Sequence, residues 1–154
     1  MTVIVRRMMD SDLDTVYKIE SESHITPWNR EVLRDCVYVG YDCVVLEQQE
    51  EGSSTIVGYL IARHSESMCH ILNLCIAKSL QGKGHGHHLM TSFLATLEMN
   101  ERVETVMLEV RPSNLIAIHL YTSLGFKKIS IKENYYNDVD GAEDAVVLKK
   151  TIIH

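Results

Sequence analysis

The chain has 154 residues, 45% apolar and 23% charged, a size and make-up expected for one domain spanning residues 1–154, and one that excludes disordered, collagenous and coiled-coil classes. Fifteen Lys+Arg stand against 21 Asp+Glu, a formal charge of −6 with histidine neutral. An acidic chain without a long basic run is unsuited to sequence-independent nucleic-acid binding and better suited to a cationic substrate.

Residues 2–7 are β-branched and read as a strand; Asp10 or Ser11 then caps a helix whose period is kept by Leu13, Val16, Tyr17 and Ile19 to Glu20. Pro27-Trp28 interrupts, and residues 30–37 form a second short helix. Residues 41–48, 56–64 and 67–77 read as an antiparallel meander, with a polar turn from Gln48 to Ser54. After the glycine-rich segment Gln81-Gly82-Lys83-Gly84-His85-Gly86 comes an amphipathic helix with Leu89, Met90, Phe93, Leu94 and Leu97 on one face. Residues 103–110 are a strand. Residues 114–124 are a helix capped by Asn114 and closed by Gly125 as a left-handed residue, and strands follow from Phe126 and over 143–153. The order β-α-α-β-β-β-α-β-α-β-β predicts an α/β (α+β) fold, a mixed sheet with helices on its faces.

No apolar run fits a signal peptide or a membrane span, so a cytoplasmic protein without a membrane partner is expected. Cysteines 36, 43, 69 and 75 show no CxxC spacing. In a chain large enough to form its own core they read as reduced, buried thiols rather than a metal or redox site.

Gly82, Gly84 and Gly86 alternate between a strand and a helix start. Such a turn aims backbone N–H groups and the helix dipole at an anion, usually a phosphate. A P-loop fails here, because Gly84 stands where Ser or Thr must follow GlyLys and Ala77 replaces the first glycine. The dinucleotide fingerprint fails at His87 or Leu89. Gln81-x-x-Gly84-x-Gly86 instead resembles the pyrophosphate-binding loop of the GCN5-related N-acetyltransferases, the GNAT family. The run from Leu108 through Asn114, then Ala117-Ile118 and Leu120-Tyr121-x-x-Leu124-Gly125-Phe126, resembles that family's second block. Pro27-Trp28, Asn134-Tyr135-Tyr136 and Gly141-x-Glu143-Asp144-Ala145 are similar to its RimI-type branch, which acetylates the N-terminal alanine of a small-subunit ribosomal protein. The resemblance covers residues 3 to 150. It implies a mostly antiparallel sheet of six to seven strands flanked by about four helices, acetyl-CoA as cosubstrate, no metal, and a protein N-terminus as acceptor. The expected assembly is a monomer or weak dimer.

Glu109 places a carboxylate inside the apolar strand Val106-Met107-Leu108-Glu109-Val110. Facing inward it is desolvated, with its pKa raised toward the range of a general base; facing outward it meets solvent or pairs with Arg111. The resemblance assigns this glutamate to deprotonating the substrate amine through water. It assigns Tyr121 to protonating the departing sulfur, where the residues alone equally allow a core tyrosine. It further implies that Leu74, Cys75 and Ile76 pair with the pantetheine arm, with the Ile76 N–H as oxyanion donor and Cys75 not a nucleophile. Coenzyme contacts also fall to Gln81, Gly82, Lys83, Gly84, His85, Gly86, His87, Asn114 and Tyr121. Trp28, Tyr135 and Tyr136 are implied around the peptide groove, although Trp28 also fits a loop anchor. His87 departs from the arginine common at its position. With His85 and His88 it sets imidazoles, whose charge depends on pH, at the anion end. Thr26 replaces an aromatic residue often found before Pro27-Trp28.

An α-amine titrates near 7.7–8.0 and lysine near 10.4, a gap of about 3.4 kcal/mol that eases the task of a modest base at a protein N-terminus. The alternatives are a family member acting on lysine side chains or a small amine, and a coenzyme-binding regulator without turnover.

Overall fold

The structure, a computed structural model, describes residues 2–138 and 141–154. Seven strands, β1 (Thr2–Arg7), β2 (Asp42–Glu50), β3 (Ser53–Ser65), β4 (Met68–Ile76), β5 (Thr105–Val110), β6 (Lys127–Asp138) and β7 (Gly141–Thr151), form one sheet in the order β1-β2-β3-β4-β5-β7-β6. Four α-helices accompany them: α1 (Leu13–Ser23), α2 (Arg30–Tyr38), α3 (His85–Glu98) and α4 (Leu115–Ser123). Every neighbouring pair is antiparallel except β4 and β5. This is the expected mixed, mostly antiparallel architecture.

Alternation along the strands divides the core in two. On one face Leu89, Met90, Phe93, Leu94 and Leu97 of α3 pack over Val106, Leu108 and Val110 of β5. On the other, Leu13, Val16 and Ile19 of α1 and Leu33 and Cys36 of α2 cover Val45, Tyr59 and Ile61. Each such buried side chain stabilises by roughly 1.5–3 kcal/mol. Tyr17, expected in the α1 stripe, is exposed instead. All four cysteines are buried and unbridged, and burial pushes the thiols of Cys43 and Cys69 up to about 12.

The first two strands of the meander run past their expected facing ends, so the polar turn shrinks to Glu51-Gly52, while the third, β4, is one residue shorter than expected at each end. Neither Asp10 nor Ser11 caps α1. Both lie with Asp12 in a 3-10 turn, and the Asp12 carboxylate accepts from the Met9 N–H at 2.7 Å and from Arg6. Asn114 does cap α4, accepting from the Ala117 N–H at 3.2 Å, and Gly125 closes it with φ +96°.

The feature that positions the site is the junction of β4 and β5. These strands pair only at Met68↔Thr105, Cys69↔Val106 and His70↔Met107. Beyond His70, the β3 register slips between Ile61↔Asn73 and Ala62↔Ile71, leaving Leu72 as an extra residue in β4. A bulge bends its strand, and β4 and β5 part to open a cleft.

Candidate active site

The cleft has a volume of about 1080 Å³. One wall is the free edge of β4. The Ala77 N–H donates to the Val57 carbonyl of β3 at 2.8 Å. Strand alternation therefore turns the N–H groups of Ile76 and Leu74 away from β3, toward the cleft. The Ile76 carbonyl accepts from Gln81 Nε2 at 3.0 Å, which fastens the glycine turn to the strand end. Gly82 and Gly84 adopt φ of +79° and +82°, a left-handed backbone that suits glycine. The first α3 bond runs from the His88 N–H to the Gly84 carbonyl at 3.0 Å. The N–H groups of His85, Gly86 and His87 thus precede the helical ladder and point out of its N-terminus. A Cβ on Gly86 would stand 3.4 Å from the Leu120 side chain of α4, at ordinary contact distance, so the turn packs directly against that helix.

Leu74, Ile76, Gln81, Gly82, Gly84, His85, Gly86, His87, Glu109, Asn114, Tyr121, Trp28, Tyr135 and Tyr136 all line this one cleft. Lys83 and His88 do not, and the Cys75 side chain packs into the core beneath α1 and α2.

Glu109 points to the face of the sheet opposite its neighbours Leu108 and Val110, and its side chain is only 6% exposed. Burial pushes its carboxyl pKa up, as expected, but hydrogen bonds from two donors outweigh it. His70 Nε2 lies 2.6 Å from Oε2 and Lys132 Nζ donates to Oε1 at 2.8 Å, holding the group below the usual carboxylate range. The expected upward shift is therefore corrected: the strand supplies desolvation, and the neighbouring strands reverse its effect. Arg111 is not the partner of Glu109. It donates to Glu143 at 3.2 Å and lies over the Tyr136 ring at 4.1 Å. Tyr121 is 7% exposed and packs edge-on against Phe126. Burial first, then Tyr136 and Cys75, raises its pKa, so the phenol keeps its proton at neutral pH.

Tyr135 and Tyr136 reach the cleft through an irregularity in β6. Lys132 pairs with Ala145 and Tyr136 with Glu143, so three residues of β6 oppose only Asp144. Asn134 takes φ +51° there, a conformation asparagine tolerates, and its N–H donates to Asp144 Oδ1 at 2.9 Å.

The β4 side of the cleft depends on a group that the sequence does not single out. Glu20 of α1 is 2% exposed and accepts hydrogen bonds from the Tyr59 hydroxyl, Asn73 Nδ2 at 2.7 Å and the Trp28 N–H at 2.9 Å. His24 Nε2 lies 3.3 Å away. Burial raises the Glu20 pKa, but these partners prevail and bring it to about 2. Cys75 and Glu20 in turn push the His24 pKa up, against its own burial. Trp28 anchors its loop, since its N–H is tied to Glu20 and its ring joins the core, and the residue also lines the cleft. The one available signal for Glu20 is its spacing, four residues after Val16 and seven after Leu13, which sets a carboxylate in the buried stripe of α1.

Among the described residues no group of three or more His, Cys, Asp or Glu is placed to hold a metal ion, and no helix is long and apolar enough to cross a membrane.

The cleft thus combines a sheet forked between parallel neighbours, a glycine turn at one end, and a buried carboxylate and phenol. Residues 13–126 match the Acetyltransferase (GNAT) family, and the chain belongs to it as an acetyl-CoA-dependent N-acetyltransferase of RimI-like type. Two bacterial relatives named [Ribosomal protein bS18]-alanine N-acetyltransferase are similar over nearly their whole length. That of Escherichia coli is 32% identical over 138 residues, 90% of each chain. That of Haemophilus ducreyi is 29% identical over 146 residues, 94% of this chain and 97% of the relative. The crystal structure of the ribosomal-protein-S18-alanine N-acetyltransferase from Escherichia coli superposes with a TM-score of 0.89 at 29% identity, over 99% of this chain and 96% of that one. Ard1 from Thermoplasma volcanium shares the fold, with a TM-score of 0.85 at 23% identity over the whole of both chains.

Proposed function

We propose that the chain, acting as one catalytic domain, transfers acetyl from acetyl-CoA directly to the N-terminal α-amine of a protein, and that this substrate is the N-terminal alanine of ribosomal protein bS18. The observation that carries the reading is the near full-length similarity to enzymes named for that substrate.

Acetyl-CoA supplies an activated acetyl thioester and an anionic pyrophosphate. The chain's own groups suit both ends. The N–H groups of residues 85–87, behind the turn held by Gln81, suit the pyrophosphate, with Lys83 at the turn's outer side. The cleft-facing N–H groups of Leu74 and Ile76 suit an extended amide-bearing arm, and Ile76 serves as the oxyanion donor. Asn114 caps the helix that carries Tyr121 into the cleft.

Glu109 takes a proton from the substrate ammonium, through water, so that the amine nitrogen attacks the carbonyl carbon. Tyr121 gives its proton to the sulfur as the carbon–sulfur bond breaks, and the second proton that the nitrogen sheds on becoming an amide restores the phenol. A carboxylate held below its usual range is a weak base. That favours an α-amine titrating near 8 over a lysine titrating near 10.4. Trp28, Tyr135 and Tyr136 flank the acceptor's path.

Thiol release from acetyl-CoA tests the reading. A hexapeptide beginning with alanine is expected to turn over, and an N-blocked lysine peptide is not. Turnover of the lysine peptide alone would move the assignment to side-chain acetylation. Coenzyme binding without thiol release from either would make the chain a regulator.

A further inference from the structure

We infer that His70 is a positioning residue for Glu109, fixing the carboxylate from behind the cleft so that its remaining lone pairs face the substrate amine; this rests on Glu109 being the base. His70 sits at the last β4–β5 pair before the strands part, whereas Glu109 lies two residues past the matching Met107, inside the fork. The histidine is thus built into the paired, rigid stem and reaches across to the open part. Its side chain is 14% exposed and is not among the cleft-lining residues.

At 2.6 Å, His70 Nε2 and Glu109 Oε2 must share a proton, since two bare lone pairs at that separation would repel. Nε2–H therefore donates and the carboxylate accepts. Lys132 occupies the other oxygen, but its side chain is 45% exposed and its ammonium also lies over the Tyr135 ring at 5.1 Å. An exposed, flexible lysine fixes geometry weakly. The buried, charge-assisted bond from His70 fixes it strongly. With one donor on each oxygen the carboxylate plane is locked, and a general base misplaced by about 1 Å loses rate steeply.

The test measures kcat, KM for acetyl-CoA and KM for an alanine-initiated peptide in the full chain, with coenzyme binding as the check on folding. His70→Leu is expected to lower kcat about 10- to 100-fold with KM for acetyl-CoA unchanged. His70→Gln, which restores an N–H donor at similar reach, is expected to recover most of that loss. In a Glu109→Gln background, His70→Leu is expected to cost nothing further, because it acts only through the carboxylate. His70→Ala carries the same comparison should leucine disturb packing. A kcat of His70→Leu within about two-fold of wild type overturns the inference. So does the same loss in the Glu109→Gln background, or failure of His70→Gln to recover activity. Full activity of Glu109→Gln by itself would instead overturn the assignment of the base, and this inference with it.

Discussion

Two buried glutamates face the same cleft from opposite walls, and they differ in how completely the chain satisfies them. Glu20 accepts from Tyr59, Asn73 and Trp28, with His24 beside it, so its oxygens are consumed by the fold. Glu109 has one donor per oxygen, one of them on an exposed lysine, and keeps lone pairs for a substrate. Both carboxyls are held below their ordinary pKa, so the shift alone does not distinguish structure from chemistry. The number and origin of the donors does. Glu20 ties the segment carrying Trp28 to the sheet, and Glu109 is tied from one side and open on the other.

The largest effect expected from this contrast is on rate. Glu109→Gln removes the proposed general base and is expected to lower kcat about 10²- to 10⁴-fold while the thermal midpoint stays within a few degrees. Steady-state kinetics beside a melting curve reads both. A large fall in stability with little loss of rate would reverse the roles of the two glutamates. Tyr121→Phe is next. It deletes only the hydroxyl of a ring packed on Phe126, and about a 10²-fold loss of kcat with unchanged coenzyme affinity is expected. Retained kcat would return Tyr121 to the core.

Glu20→Gln is expected to show the opposite balance. It swaps one acceptor oxygen for a donor facing other donors, costing about 1–3 kcal/mol in chemical denaturation. The pH dependence follows from the direction of its shift. The folded pKa of about 2 lies below the ordinary value of 4.5, so the stabilisation is complete above pH 4.5 and fades as pH falls toward 2. The gap between wild type and Glu20→Gln should therefore narrow on acidification. A gap that is constant from pH 6 to 3 would break the argument.

The same two residues mark what was legible in the sequence. Period-2 alternation sets Glu109 opposite Val106, Leu108 and Val110, and helical spacing sets Glu20 in the α1 stripe; both positions follow from local pattern. Their partners do not. His70 is 39 residues from Glu109 and Lys132 is 23 away. They meet it only through the registers of β4, β7 and β6, which no local pattern encodes. An isolated carboxylate in an apolar strand reads as desolvated, and the wrong sign of its pKa shift follows from that missing information. The donors to Glu20 are similarly spread over residues 28, 59 and 73. The glycine turn and the Asn114 cap were fully legible because the geometry they need is contained within a few residues.

The smallest expected effect lies at the far end of the cleft, where the chain is least committed. His87 is exposed on the first turn of α3 and lines the cleft. In the proposed coenzyme site, backbone N–H groups and the helix dipole carry most of the anion's binding there, so a side chain adds an increment rather than the site itself. His87→Arg introduces a permanently charged, bidentate donor. Acting across solvent, it is expected to tighten coenzyme A binding about 2- to 5-fold in calorimetry near neutral pH, with a steeper salt dependence and an unchanged kcat. A tightening far beyond tenfold would mean that the side chain, not the turn, dominates the anion end. The contrast between a backbone-built anion site and side-chain-built carboxylate sites would then fail.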